Sequence, residues 1–259
     1  MKITKIFLCE DNIEGIFTAI YNAWDSGYGH DNIRIAVQNS NVDMELELFS
    51  EYIEVETDDK KAEKVADSIG RKISENVFDM VCKAAWSHEP DKGDVIYRFL
   101  ILGFHMGAKV INLHTSEIVI KMFNMNRNVS NEAHNFLGFL RFSEIKNSIL
   151  VSKINPKNDI LRLIAPHFSE RLNKENFIIY DEKRKTAIVH RSGYPWIFTY
   201  ADELDVDKLS NLSEQEEEFR ALWQTFFNTI GIKERKNQRL QNNLLPKRFR
   251  SNMVEFLRE

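Results

Sequence analysis

Arg127, Asn131, His134, Gly138 and Arg141 follow one another at spacings of four, three, four and three residues. On an α-helix, at about 100° per residue, those spacings gather the five side chains within roughly 80° of arc. The opposite side collects Val129, Ala133, Phe136, Leu137 and Leu140, which is the face that packs. The polar face is not the Lys/Glu mixture of a solvated helix. It holds two arginines, an amide and a histidine around a glycine. Arginine offers bidentate contacts to phosphate, and histidine offers a proton that titrates near neutrality. Such a face suits an anion or a nucleotide. It suits equally a polar surface packed against another part of the fold, and periodicity does not separate the two. A mid-helix glycine costs about 1 kcal/mol relative to alanine, so Gly138 invites the close approach of a backbone or a ligand.

A second polar group lies downstream. His167 and Arg171 are four apart and share a helix face, with Pro166 restarting or kinking the helix just before them. Asp181 stands at the mouth of the next hairpin, where a carboxylate could orient a histidine or an arginine, or simply close a turn. A catalytic assignment would make His134 or His167 the general acid/base and Asp181 the orienting group, with arginines stabilising phosphate charge.

Charge is unevenly distributed. Residues 1–60 hold 13 acids and 4 bases, a net of −9, whereas the whole chain carries −4. Residues 233–250 hold 7 bases and 1 acid, a net of +6. The bases are Lys233, Arg235, Lys236, Arg239, Lys247, Arg248 and Arg250, interleaved with amides and Phe249. Positive charge mixed with amides and an aromatic fits a phosphate backbone with adjacent bases, and it also fits a solvated helical face. The nucleic-acid-binding set is therefore Arg127, Asn131, Arg141, Arg171, Arg235, Lys236, Arg239, Lys247, Arg248 and Arg250.

Several chemistries find no support. There is no Gly-rich dinucleotide fingerprint, no phosphate-binding loop and no nucleophile elbow. Glu132-Ala-His134 is a two-residue step that splays on a helix, so no metal site is expected, and no cofactor is implied. Two cysteines, Cys9 and Cys82, are too few for a disulfide framework in 259 residues and read as buried free thiols. The most apolar stretch, Val95 to Val110, contains Arg98, His105 and Lys109, too charged to span a bilayer. No signal peptide is evident, and the expectation is a soluble cytoplasmic protein.

The elements that position these residues follow from periodicity. Ile3–Leu8 reads as a strand, followed by a helix capped by Asp11 or Asn12. Ile33–Val37 and a run near Leu46–Val55 return to the sheet. Helices then cover about Asp58–Ile73, Asn76–Trp86, Gly93–His105 and Ser116–Asn124, and a separate helix spans Arg127–Arg141. Asn147-Ser148 turns a hairpin, Asn158 caps a helix to Leu172, and Phe177–Tyr180 pairs with Thr186–His190. Trp196–Tyr200 adds a strand, Ser213 with Glu216 caps a helix to Ile230, and two short helices meet at Pro246. The fold class is α+β, mostly helical, with short antiparallel hairpins and helices around a small sheet. The regions are 1–125 and 126–259, or one continuous domain.

Specific stretches resemble a known family. They are Asn128-Val-Ser-Asn-Glu-Ala-His-Asn-Phe-Leu-Gly-Phe-Leu-Arg-Phe142, Ile164-Ala-Pro-His-Phe-Ser-Glu-Arg171 and Ile178-Ile-Tyr-Asp181. Ile232 to Gln241, Pro246 to Arg250 and Cys9 to Ile20 continue the likeness. Together they resemble a bacterial family of DNA metabolism or DNA repair proteins whose activity is unknown. The resemblance implies a DNA context. Members are associated with a radical-SAM protein assigned to DNA modification or repair, and a similar domain is sometimes fused to a uracil-DNA glycosylase-like domain. The family's motif residues include Arg127, Glu132, His134, Arg141, His167, Arg171 and Asp181. One departure is Phe249-Arg250, where related chains often carry Tyr-Trp.

Three readings follow. The first is a nucleic-acid-binding accessory factor that serves a radical-SAM partner, with DNA as its ligand. The second is a DNA-processing enzyme using the His/Arg/Asp group. The third is a protein-interaction module that docks a basic partner through the acidic N-terminal region.

Overall fold

The computed structural model describes residues 3–38, 48–146, 148–200, 209, 211–230, 232, 235 and 237–256. The chain divides into two compact units, residues 1–131 and 132–259.

The first unit begins with a parallel sheet. Strand β1 (Thr4–Cys9) leads through helix α1 (Ile13–Asp25) to strand β2 (Ile33–Val37), and strand β3 (Ser50–Glu54) pairs on the other side of β1. Both partners run parallel to β1, with Phe7 opposite Ile35 and Ile53. The sequence pattern predicted hairpins, and this sheet is a correction to that. Its cause is the 13-residue helix between β1 and β2, which is long enough to return the chain to the same end of the sheet. Asn12 caps α1 by accepting from the Gly15 amide at 2.6 Å. A Cβ on Gly15 would meet the Glu10 carbonyl oxygen at 2.8 Å, so the tight entry from β1 requires glycine there.

Helices α2 (Asp59–Lys72), α3 (Glu75–Ala85) and α4 (Lys92–Met106) complete the unit. Asp58 and Ser74 cap the first two with their side-chain oxygens. Ile16, Ile20, Ile69, Val77, Phe99 and Leu100 lie in one buried core. Lys92 is buried, and its ammonium is held by the carbonyls of Ala85 and Ser87, at 2.7 and 2.8 Å, and by the Asp11 carboxylate. That arrangement ties the start of α4 to the loop after β1.

Helix α5 runs without interruption from Glu117 to Phe139. The sequence reading had two helices meeting near residue 125. No Pro or Gly lies in that interval, and polar residues there bond along the helix. Asn126 donates to Met122 O at 3.0 Å and to Met80 O at 2.9 Å.

The second unit is built on a five-stranded sheet. Its strands are β4 (Ser143–Ile145), β5 (Ile149–Ile154), β6 (Asn176–Asp181), β7 (Thr186–His190) and β8 (Ile197–Tyr200), in sequence order across the sheet. Helix α6 (Leu161–Arg171) crosses between β5 and β6, which are parallel, while every other pair is antiparallel. The α+β class therefore holds, but with two sheets rather than one, each containing parallel pairing. Phe177 is fully buried, and Phe142 meets both Phe168 and Phe177 edge-on at 5.4 and 5.7 Å. Helices α7 (Glu214–Ile230) and α8 (Gln238–Leu244) follow, and the chain closes in 3-10 turns over Lys247–Asn252 and Val254–Phe256. No described helix is long and apolar enough to cross a membrane.

Both cysteines are free, Cys9 buried and Cys82 half-buried. Burial, followed by the nearby Asp11 charge, pushes the Cys9 thiol up to about 12. Burial pushes Cys82 up to about 11. Only the thiolate reacts, so at pH about 8 the native protein is expected to be alkylated by iodoacetamide at least ~100-fold more slowly than a free thiol. Mass spectrometry of a time course checks this, and labelling at the rate of the denatured chain would contradict it.

Candidate functional site

The predicted faces of α5 are those observed. Val129, Ala133, Phe136 and Leu140 are buried, while Arg127, Asn131, His134 and Gly138 are exposed. Arg127 and Asn131 belong to the first unit, where Arg127 donates to Asn124 Oδ1 at 2.8 Å. The expectation of a close approach at Gly138 is overturned, because a Cβ built there meets nothing within 4 Å. Arg141 lies just past the helix. Its Nη1 donates to the Gly138 and Leu140 carbonyls at 2.9 and 3.3 Å, a cation satisfying open carbonyls at a helix C-terminus.

Asp181 does not meet either histidine. It is fully buried, its Oδ1 accepts from the Lys183 and Arg184 amides at 2.9 and 3.1 Å, and its Oδ2 accepts from Arg184 Nη1 at 2.9 Å. The carboxylate closes the β6–β7 turn, where Lys185 sits at φ 56°, and orients an arginine within it. Arg184 in turn donates to the carbonyls of Pro156 and Lys157. His134, His167 and Arg171 are all exposed, and among the described residues no hydrogen bond or ion pair joins either histidine to Asp181. The catalytic grouping drawn from spacing is thus not assembled.

Glu132 has a comparable structural task. It is 2% exposed, and its two oxygens accept from the Lys157 amide at 3.1 Å and from the amide and side chain of Asn158 at 2.8 and 2.7 Å. Asn158 was expected to cap α6. It is instead buried on Glu132, and α6 starts three residues later without a side-chain cap. Arg248 Nη1 reaches Glu132 Oε1 at 3.4 Å.

The basic segment divides into two sets. Arg248 is tied to Glu132 and lies over the Phe249 ring, 4.6 Å from its centroid. Phe249 is buried against Phe136 and Phe139, with centroids 5.1 and 5.2 Å away. Arg250 donates to Leu245 O, Gln241 O and Asn242 Oδ1, holding the end of α8. Those two arginines are framework. Arg235, Arg239 and Lys247 are exposed. Lys236 lies outside the described residues, as does Lys233.

A cavity that the sequence reading did not anticipate lies where the C-terminal segment meets α7. It has a volume of about 400 Å³ and is lined by Arg141, Phe142, Phe219, Arg220, Trp223 and Glu255, with Glu216 and Val254 completing the wall. Ser213 caps α7 by accepting from the Glu216 amide at 3.1 Å. Glu216 does not return the bond to its own cap. Its Oε2 accepts from the Glu144 amide on β4, and its Oε1 from Arg220 Nε at 2.9 Å. Arg220 Nη2 donates to Ser143 Oγ at 2.6 Å, leaving Nη1 without a protein acceptor among the described residues. Arg141 Nε and Nη2 both reach Glu255 Oε1, at 3.2 and 3.0 Å. Phe219 is 67% and Trp223 45% exposed, continuing along α7 to exposed Phe226. The available sequence signal was the recurrence of Phe219, Trp223 and Phe226 around Arg220. Chemically, the cavity offers flat apolar faces beside a guanidinium with open donors. Among the described residues no group of three His, Cys, Asp or Glu is placed to hold a metal ion.

Replacing Glu132 by alanine strands two backbone amides and an arginine. The expected loss of stability is about 3 kcal/mol, since a buried donor left unpaired costs about 1–3 kcal/mol. Denaturant titration checks this, and an unchanged midpoint would contradict the anchoring role.

No curated protein matches the chain. Residues 90–255 match a family described as a domain of unknown function, DUF4130. The match takes in the whole second-unit cavity and leaves the Cys9 to Ile20 stretch outside it. On that match, which spans more than half of the sequence, the chain belongs to the DUF4130 family.

Proposed function

We propose that the second unit binds single-stranded nucleic acid as an accessory module for an enzyme that acts on DNA. The observation that carries this reading is the cavity of about 400 Å³ in which Trp223, Phe219 and Phe142 stand beside Arg220 and Arg141. Aromatic faces stack unpaired bases regardless of sequence, at about 1–3 kcal/mol per base. A base inside a duplex is already stacked and cannot reach such a face, so the preference is for single strands. Arg220 keeps open donors for a phosphate next to the seated base. Arg235, Arg239 and Lys247, exposed within a segment of net +6, supply further phosphate contacts. The acids at the start of α7, Glu214, Glu217 and Glu218, disfavour a backbone passing over that turn. The DNA setting and a radical-SAM modification or repair protein as the enzyme served rest on the family resemblance. The enzymatic reading is not favoured, because Asp181 is spent on its turn and, among the described residues, is hydrogen-bonded to neither His134 nor His167.

The test is a fluorescence-anisotropy titration of the full chain with single-stranded and duplex oligonucleotides of one length. Four phosphate contacts give a slope near −2.8 in log K against log salt, so raising salt from about 50 to about 200 mM should weaken single-strand binding ~50-fold. Trp223→Ala should cost about tenfold. Equal affinity for duplex, or no binding at the lower salt, would overturn the reading.

A further inference from the structure

Helix α7 packs on its own unit through polar residues and turns its apolar ones outward. Glu216 and Arg220 bond to β4, at the Glu144 amide and Ser143 Oγ, and Gln224 donates to the Val254 carbonyl at 3.2 Å. Those three residues recur at intervals of four, so a polar face is the packed face. Phe227 lies on that side too and meets Phe256 at 5.8 Å between centroids. The adjoining face holds Phe219, Leu222, Trp223, Phe226 and Ile230, all exposed, Leu222 at 65% and Ile230 at 56%. A surface helix ordinarily buries its apolar stripe and leaves its charges in water. Here the order is reversed, and a contiguous apolar stripe left outside marks a place where another chain docks. Phe219 and Trp223 line the cavity. Leu222, Phe226 and Ile230 are not part of its lining and form a ridge at intervals of four along the helix.

The charges around the ridge say what covers it. The start of α7 presents Glu214, Glu217 and Glu218, all exposed, and its last turn holds no base. The basic stretch comes after the helix, with Arg235 and Arg239 exposed within a segment of net +6. The complement of an acidic beginning and a basic sequel is the same pattern run in the opposite direction.

We infer that α7 pairs antiparallel with α7 of a second copy of the chain, through Leu222, Phe226 and Ile230. A two-fold axis beside Phe226 sets that residue against its own copy, and sets Leu222 of each chain against Ile230 of the other. The same axis brings the acidic start of each helix toward the basic stretch leaving the other, and it opposes the two helix dipoles. Parallel pairing would set acid against acid and base against base. None of the three ridge residues lines the cavity, and the inference does not rest on the single-strand reading.

The experiment is sedimentation velocity of the full chain, without nucleic acid, over a range of concentrations. The wild-type protein should reach twice its 30.4 kDa at ~20 μM. The double variant Leu222→Glu/Phe226→Glu should associate at least ~100-fold more weakly, because two apolar side chains on each copy lose their burial. Both positions are exposed in the single chain, so the variant should keep its fold, which circular dichroism checks. A second measurement tests the direction of pairing. One variant carries Glu214→Lys, Glu217→Lys and Glu218→Lys, and another carries Arg235→Glu and Arg239→Glu. Each alone should associate about tenfold more weakly than wild type, because like charges then meet. An equimolar mixture of the two should recover wild-type association, since each supplies the sign that the other lacks. A wild-type protein that stays monomeric at ~200 μM overturns the inference and leaves the ridge to a chain of another kind. A dimer undiminished in Leu222→Glu/Phe226→Glu also overturns it, because another surface must then hold the copies together. A mixture that associates no better than its components overturns the antiparallel pairing. Every one of these results is read without nucleic acid, so the single-strand reading stands or falls separately in its own titration.

Discussion

Glu132, in the last turns of α5, has both carboxylate oxygens filled by groups outside its own helix. The Lys157 and Asn158 amides fix the loop between β5 and α6, and Arg248 fixes the returning C-terminal segment. A second buried carboxylate, Asp181, grips the same loop from its other side through Arg184 and the carbonyls of Pro156 and Lys157. Buried carboxylates persist only where donors converge on them, so each holds several chain segments to one place. The consequences travel along the C-terminus. With Arg248 placed, Phe249 enters the core beside Phe136 and Phe139, and Asn252 reaches the Lys153 carbonyl at 2.8 Å. Glu255 is then carried to Arg141, and the wall of the cavity is complete.

This chain of contacts explains why family motif residues and the candidate ligand site only partly coincide. Glu132, Asp181 and Arg248 hold loops, and Arg141 closes a helix while anchoring Glu255. The groups left to meet a ligand are Arg220, Trp223 and Phe219 on α7.

Much of the local structure was legible because it depends on nearby residues. The α5 faces, the Asn12 cap, the Ser213 cap and the β6–β7 hairpin all follow from spacing and cap chemistry. The parallel pairing of β1 with β2 and of β5 with β6 was not legible, because strand direction is decided by the packing of the intervening helix rather than by the strands' own residues. Asn158 had the signature of a cap, and a partner 26 residues away claimed it. The cavity was hidden for the same reason. Phe219 and Trp223 have helical core spacing, and only the fold reveals that their faces remain open. Arg141 and Glu255, 114 residues apart, give no sequence sign of being neighbours.

The central claim is that an unpaired base rests on Trp223. The most direct measurement is quenching of intrinsic tryptophan fluorescence on titration with a single-stranded oligonucleotide, comparing wild type with Trp223→Phe. The chain has 4 tryptophans, so the variant retains a signal from the others. The account predicts quenching in the wild type that disappears in Trp223→Phe, while anisotropy still reports binding, because phenylalanine keeps a stacking face. Quenching of equal depth in both proteins would place the base elsewhere and contradict the account.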